Sequence, residues 1–108
     1  MSSFSHTPAG LTAGTSLTLA YGPVSAGGTA VVFAGTFSNI DTSGMAQHWV
    51  TMQKYNGTTY TPELTQVPVP FGSTSKCPKM VLNAGESLYV QADAASAIAV
   101  SMEILVLP

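Results

Sequence analysis

Ionised side chains are scarce in this chain of 108 residues. Charged residues make up 7% of the sequence, arginine is absent, and the cations are Lys54, Lys76 and Lys79. An ordinary soluble domain carries about 25% charged residues. With a net charge of -2, the chain has little with which to neutralise phosphate groups or to bind an anionic lipid surface. We therefore expect neither nucleic acid nor a membrane as a partner.

Cysteine and histidine are equally rare. A single cysteine, Cys77, excludes an internal disulfide and a multi-cysteine metal site. Its side chain either packs in the interior or, beside Lys76, has a thiol with a lowered pKa. His6 and His48 are the two imidazoles, and neither has a nucleophile and an orienting acid nearby in the sequence, as nucleophilic catalysis requires. We interpret both as surface or packing residues.

The acidic residues show no pairing at short spacing. They are Asp41, Glu63, Glu86, Asp93 and Glu103. A cation site or shared acid–base chemistry needs carboxylates that converge, and nothing local brings these together. The sequence therefore predicts no catalytic residue, no metal site and no cofactor, and we expect a protein that is not an enzyme.

Long apolar runs are also missing. No stretch approaches the roughly 20 residues that span a bilayer, and the first residues lack the basic start and apolar run of a secretory signal. This predicts a protein made in the cytoplasm. A surface with so few charges has weak electrostatic protection against self-association. We therefore expect the chain to function within an assembly.

What the sequence does contain is alternation of apolar and polar residues with a period of two. It is clear in Thr15–Tyr21 and in Ala97–Leu107, where the even positions from Ile98 to Val106 form the longest apolar face. Thr29–Phe37 is apolar on both faces, so this strand is either central and covered twice or faces a partner. No window has a helical period. About seven or eight strands at regular turn spacing predict one antiparallel β-sandwich, jelly-roll-like or immunoglobulin-like.

The domain organisation follows from these strands. Residues 15–108 form the predicted sandwich, and residues 1–14, which are small and polar with Pro8 and two glycines, are predicted to form an extended N-terminal arm. The arm is either a flexible tail or is laid on a neighbouring subunit.

Turn residues predict how the strands connect. Asn56-Gly57 is the strongest hairpin signal in the chain and lies between the predicted strands Gln47–Tyr55 and Thr58–Thr61. A second hairpin is predicted over Met80–Asp93, around the polar turn Asn83–Glu86. Val67–Phe71 alternates with two prolines, which cannot donate to a sheet ladder, so it is either an edge strand or an extended connection.

Large side chains with polar tips are the candidate contacts with a partner, because they combine apolar area with hydrogen bonding. The predicted interface residues are Phe4, His6 and Leu11 in the arm, and Trp49, Tyr55, Tyr60, Tyr89 and Gln91 in the sandwich. Tyr89, Gln91 and Asp93 share the outer face of one strand, where they could lie flat against another subunit. The alternative for Trp49 is a place in the core, the commoner outcome for a lone tryptophan in a small sandwich.

Four segments carry a resemblance to a known class of protein. They are Thr15–Tyr21 leading to Gly22-Pro23, the apolar strand that ends in Phe37-Ser38-Asn39-Ile40-Asp41, Val67-Pro68-Val69-Pro70, and Leu82-Asn83-Ala84-Gly85-Glu86-Ser87-Leu88-Tyr89-Val90-Gln91-Ala92. Together they resemble small structural proteins of tailed bacteriophages, in particular capsid decoration, or cement, proteins. The resemblance covers most of the chain after the arm and consists of strand and turn patterns.

The resemblance implies a non-enzymatic subunit on the capsid surface of the virion. Such a subunit would bind the major capsid protein and neighbouring copies of itself, as a homodimer or homotrimer, and reinforce the head against internal pressure. The alternative function is a tail or fibre module that binds a host glycan or an adjacent tail protein, using Trp49, Tyr55 or Tyr60. An enzyme is the third class, disfavoured by the shortage of histidine, arginine and paired acids.

Overall fold

The computed structural model describes residues 3–7, 10–41, 46–59 and 65–107, which contain ten β-strands and no helix. The strands are β1 (Ser3–His6), β2 (Thr12–Ala13), β3 (Thr18–Tyr21), β4 (Thr29–Asn39), β5 (His48–Tyr55), β6 (Thr65–Val69), β7 (Thr74–Lys76), β8 (Met80–Asn83), β9 (Ser87–Ala92) and β10 (Ile98–Leu107). Within these ranges there is accordingly no helix that could cross a membrane.

The strands form two antiparallel sheets. In the first sheet the order is β1-β10-β4-β7, with β2 also on β10 and β8 also on β4, and in the second it is β3-β9-β5-β6. The short strands β1 and β2 pair one after the other with the same edge of β10, and β7 and β8 do the same along β4. When each such pair is counted as one position, each sheet has four strand positions. The predicted all-β, antiparallel β-sandwich is confirmed.

An extended N-terminal arm is not shown. The described residues of the first fourteen pair with β10 of the same chain, with Phe4 opposite Leu105 and Thr12 opposite Ala99. Between them the Thr7 backbone N–H donates to the Met102 carbonyl at 3.2 Å. These residues therefore complete an edge of the first sheet.

The core lies between the two sheets and is built from alternate positions of the long strands. As predicted, the even positions of β10 face inward, and Ile98, Met102 and Ile104 are fully buried. The second sheet contributes Val50 and Met52 of β5 and Leu88 and Val90 of β9. Burial of these aliphatic side chains is the main source of stability for a chain with so few charges.

A β-bulge in β4 changes which residues face the core. Ile104 pairs with Val32 and the preceding Glu103 pairs with Ala34, so Phe33 has no partner on β10. Even positions of β4 are buried before the bulge and odd positions after it, because one extra residue reverses the alternation. Phe37 is therefore fully buried while Phe33 stays 37% exposed, although the sequence pattern places them on one face.

The predicted hairpin over Met80–Asp93 is wrong. The turn forms as expected, with the Glu86 N–H donating to the Asn83 carbonyl at 3.0 Å, but β8 pairs with β4 and β9 pairs with β3 and β5. The turn therefore joins the two sheets. Leu82 and Leu88 are both fully buried, because each points from its own sheet into the shared core.

The other predicted turn is present with a different strand after it. Gly57 has φ of 95°, which favours glycine, and the Asn56 side-chain oxygen accepts the N–H groups of Thr58 and Thr59 at 2.9 Å each. Thr58 and Thr59 are not part of a strand, and the rest of Thr58–Thr61 lies outside the described residues. The sheet partner of β5 on this side is β6, so the proline-containing segment that the sequence leaves as an edge strand or an extended connection is an edge strand.

Candidate interaction surface

Four of the predicted interface residues come together on the outer face of the second sheet. On β5 the odd positions point away from the core, which places Trp49 and Tyr55 on one surface. On the neighbouring strand β9, Tyr89 pairs with Gln53 and Gln91 pairs with Thr51. We call the surface formed by Leu19, Trp49, Tyr55, Tyr89 and Gln91 the aromatic face.

Trp49 lies on this surface with 39% of its area exposed. The alternative that it packs in the core is therefore wrong. Its partner on the edge strand is Pro68, so the indole has a rigid, apolar neighbour. An exposed tryptophan on a sheet face offers a large contact area that costs little side-chain entropy to immobilise.

Tyr55 and Tyr89 pack against each other, with ring centroids 6.0 Å apart and an interplanar angle of 88°. This edge-to-face arrangement is one that aromatic pairs prefer. Leu19 of β3 pairs with Tyr89 and extends the surface. Leu19 faces outward with its partner Tyr89, so the small Ala20 side chain lies in the core, and a bulge at Ala20 turns Tyr21, opposite the buried Leu88, inward as well. A strand without the bulge would keep Leu19 and Tyr21 on one face.

A depression of about 230 Å³ lies at one end of the aromatic face, lined by Trp49, Thr51, Gln66, Gln91, Ala92 and Asp93. The Gln91 side chain is fixed there because its Nε2 donates to the Thr15 carbonyl at 2.6 Å. Asp93 is fixed by the Trp49 backbone N–H, which donates to its Oδ1 at 3.2 Å. The depression therefore combines an aromatic ring with held amide and carboxylate groups.

Behind the depression, His48 is buried between two carboxylates. Its Nε2 lies 2.8 Å from Asp41 Oδ2 and its Nδ1 lies 3.0 Å from Asp93 Oδ1. Two of the carboxylates that the sequence leaves scattered therefore lie on either side of one histidine. Asp41 lies 7 residues from His48 and Asp93 lies 45 residues away, so no local spacing in the sequence signals the cluster.

The cluster raises the pKa of His48 above 6.5, chiefly through the hydrogen bond with Asp41, while burial opposes the rise and Asp93 adds to it. Because each ring nitrogen faces a carboxylate, the imidazole does not offer a nitrogen to a substrate. Asn39 extends the network, since its Nδ2 donates to the carbonyls of Ala46 and Val69 at 3.0 Å. This cluster joins Asp41, which follows β4, to His48 at the start of β5 and to Asp93 at the end of β9.

The remaining predicted interface residues lie elsewhere. Phe4 and His6 are exposed on β1 of the first sheet, and Leu11 packs against the core. Tyr60 lies outside the described residues. The exposed members of the predicted set are thus divided between the two sheets. The structure adds Leu19 and Thr51, which an alternating pattern does not distinguish from other strand residues.

Cys77 is buried, and burial raises the pKa of its thiol to about 11. The alternative of a thiol activated by neighbouring lysines is therefore wrong. The Sγ–H donates to the Pro78 carbonyl at 3.4 Å, which is consistent with a packing role.

In the part of the chain that the structure describes, no three His, Cys, Asp or Glu side chains are grouped to hold a metal ion. Asp41 and Asp93 lie at opposite nitrogens of the His48 ring and do not converge on one point. Comparison of the chain with family models, with curated proteins and with solved structures finds no match.

Proposed function

We propose that this chain is a non-enzymatic structural subunit of a phage virion, a capsid decoration protein that binds the assembled head and stabilises it. The observation that carries the proposal is the aromatic face, on which Trp49, Tyr55, Tyr89 and Leu19 lie together on one rigid sheet. The centres of protein interfaces are enriched in aromatic residues and depleted in lysine and glutamate. The aromatic face has this composition.

The strand order supports the same proposal. Counting β1 with β2 and β7 with β8, the two sheets have the order of the eight-stranded jelly roll, an architecture found in viral capsid and lectin domains. A fold by itself does not specify a function. Its contribution is to present the aromatic face on a flat and rigid support.

In this proposal the partners are the major capsid protein and neighbouring copies of the chain on the capsid surface. The shell repeats its binding positions many times, so modest contacts made by each subunit add up when the subunits are linked. Low surface charge suits this use, because small uncharged side chains can approach a partner without desolvating ions.

The proposal is tested by sedimenting assembled shells of the parent phage, prepared without this chain, with purified protein. Wild type should pellet with the shells in a saturable amount, and Tyr89→Asp should not. Phe71→Asp is the matched control, because Phe71 is an exposed aromatic residue in the turn between β6 and β7 and is not one of the residues of the aromatic face. Equal pelleting of all three proteins, or no saturable binding of wild type, would contradict the proposal.

The depression beside Trp49 favours a second candidate, a tail or fibre module that binds a host glycan. Sugar rings stack on exposed indole groups and hydrogen-bond to fixed amides and carboxylates, the groups that Gln91 and Asp93 supply. A glycan array with wild type and Trp49→Ala tests it. Binding of a defined glycan that is lost in the variant would support this candidate over decoration, and an array without binding would remove it.

A further inference from the structure

The outer face of the first sheet carries an apolar row that runs across four strands. Phe4 of β1 pairs with Leu105 of β10, Leu105 pairs with Val31 of β4, and Val31 pairs with Val81 of β8. Val31, Val81 and Leu105 point away from the core, because their neighbours along each strand pack in it or against it, and Phe4 lies on the same face as its partner Leu105. Phe4 is 76% exposed, which is unusual for so large an apolar side chain.

Phe33 extends this apolar row toward the middle of the sheet. The β4 bulge turns Phe33 outward, and its ring meets that of Phe4 edge to face with centroids 5.9 Å apart. On the other side of Phe33 lies a mostly apolar depression of about 360 Å³, lined also by Gly35, Cys77 and Lys79. It forms where the chain leaves the ladder between β7 and β8. A protruding ring and a hollow thus flank Phe33 on opposite sides.

The charged residues on this face also lie on opposite sides of Phe33 according to their sign. Glu103 lies on β10, on the Phe4 side of Phe33, whereas Lys76 and Lys79 lie on the side of the hollow. Among the described residues, the ion pairs of the protein both involve His48, so these three charges have no ion-pair partner within that part of the chain. The face therefore carries opposite charges on its two halves.

We propose that the outer face of the first sheet binds a second copy of this chain, in a two-fold symmetric dimer whose axis passes near Phe33. Such an axis places Phe4 of each copy over the hollow of the other, and Glu103 of each copy toward the other's Lys76 and Lys79. A two-fold interface must be self-complementary, and one axis satisfies both the shape and the charge requirement.

The size of the face fits this partner. The two longer extents of the molecule are 45 and 26 Å, so a sheet face offers on the order of 1,000 Å², and a stable interface needs about 800 Å² from each partner. Because the net charge of each copy is only -2, electrostatic repulsion between two copies is weak. Burying Phe4 and Phe33 supplies the apolar centre that such an interface requires.

The test is the mass of the free protein in solution, measured by sedimentation equilibrium over a range of concentrations. We expect wild type to be a dimer and Phe4→Asp to dimerise at least roughly tenfold more weakly, as expected for a central aromatic contact. Trp49→Ala, on the opposite sheet, and Phe71→Asp are controls that should remain dimeric. A wild type that is monomeric at all concentrations, or a Phe4→Asp variant as dimeric as wild type, would overturn the proposal.

Two further experiments test the position of the axis. Each looks for a gain, a new disulfide in the first and restored association in the second. In a Cys77→Ala background, Phe33→Cys should form a disulfide between copies under mild oxidation, because the two Phe33 positions approach each other at the axis. Glu103→Lys should weaken the dimer, and adding Lys76→Glu and Lys79→Glu should restore it. A cross-link that fails to form in a dimeric protein would exclude this axis, as would a charge exchange that does not restore association.

This inference deepens the proposed function, since it rests on the part that assigns neighbouring copies as partners and names the surface between them. It is nevertheless tested on the free protein. Dimerisation without shell binding would leave the dimer standing and remove decoration, whereas shell binding by a wild type that is monomeric in solution would leave decoration standing and remove the dimer. The two failures are therefore distinguishable.

Discussion

Tyr55 of β5 and Tyr89 of β9 meet edge to face on the outer surface of the second sheet, with ring centroids 6.0 Å apart. We expect this contact to stabilise the folded chain by about 0.5–1.5 kcal/mol beyond the area that it buries. A double-mutant cycle with Tyr55→Ala and Tyr89→Ala, followed by urea unfolding, measures the coupling free energy. Strictly additive effects of the two substitutions would show that the rings do not stabilise each other.

His48 should make stability depend on pH. Because Asp41 and Asp93 raise its pKa in the folded state above 6.5, the stabilisation is fully present below about pH 6.5, the value for an unfolded histidine, and is lost as the pH rises through the folded pKa. We expect the free energy of unfolding to fall across this interval in wild type and in His6→Gln, but not in His48→Gln. An NMR titration that places the pKa of His48 at or below 6.5 would contradict the prediction.

The bulge in β4 predicts opposite outcomes for two phenylalanines four residues apart. Phe37→Ala should destabilise the protein by about 3–5 kcal/mol, since Phe37 is fully buried and its removal leaves a cavity. Phe33→Ala should change the free energy of unfolding of the monomer by less than about 1 kcal/mol, because Phe33 lies on the surface. Urea unfolding of both variants, made in the Phe4→Asp background to remove association, provides the comparison. Equal losses would place both rings on the same side of the sheet.

Gly35 should be intolerant of a side chain although its backbone does not need glycine. A Cβ at this position would lie 2.8 Å from the Ser101 carbonyl oxygen and 3.1 Å from Cys77 Cβ, so β4 would have to move away from β10. We expect Gly35→Ala to cost about 1–3 kcal/mol. Gly14→Ala is the control, since its Cβ would be 3.4 Å from Thr18 Oγ1, an ordinary contact. A Gly35→Ala variant as stable as wild type would show that β10 and Cys77 are packed less closely around Gly35 than these distances indicate.

The sandwich class and the longest core strand could be predicted because alternation along a strand is a local property. The even positions from Ile98 to Ile104 face inward as their spacing indicates, and β6, whose Pro68 cannot donate to a ladder, is an edge strand, one of the two alternatives for that segment. The alternation fails at Phe33 and Ala20, where a bulge adds one residue and reverses the faces beyond it. No residue type in those segments signals a bulge.

Long-range relationships could not be predicted for a different reason. The turn at Asn83–Glu86 has the same local geometry whether the following strand stays in one sheet or crosses to the other, so the sequence alone predicts β9 beside β8. Likewise, Asp93 reaches His48 only when β9 pairs with β5, and Asp41, which follows β4 of the first sheet, reaches it only after the two sheets have packed. The candidate residues Trp49, Tyr55, Tyr89 and Gln91 were found from their chemistry, but their common face depends on the pairing of β5 with β9.

The most direct measurement is a cryo-EM reconstruction of the parent particle. We expect density for the sandwich at regular positions on the capsid surface, with Tyr89 and Trp49 of one copy in each pair facing the shell and the second copy joined to it through Phe33. A reconstruction in which the chain occupies no regular position on the head would contradict the proposed decoration function.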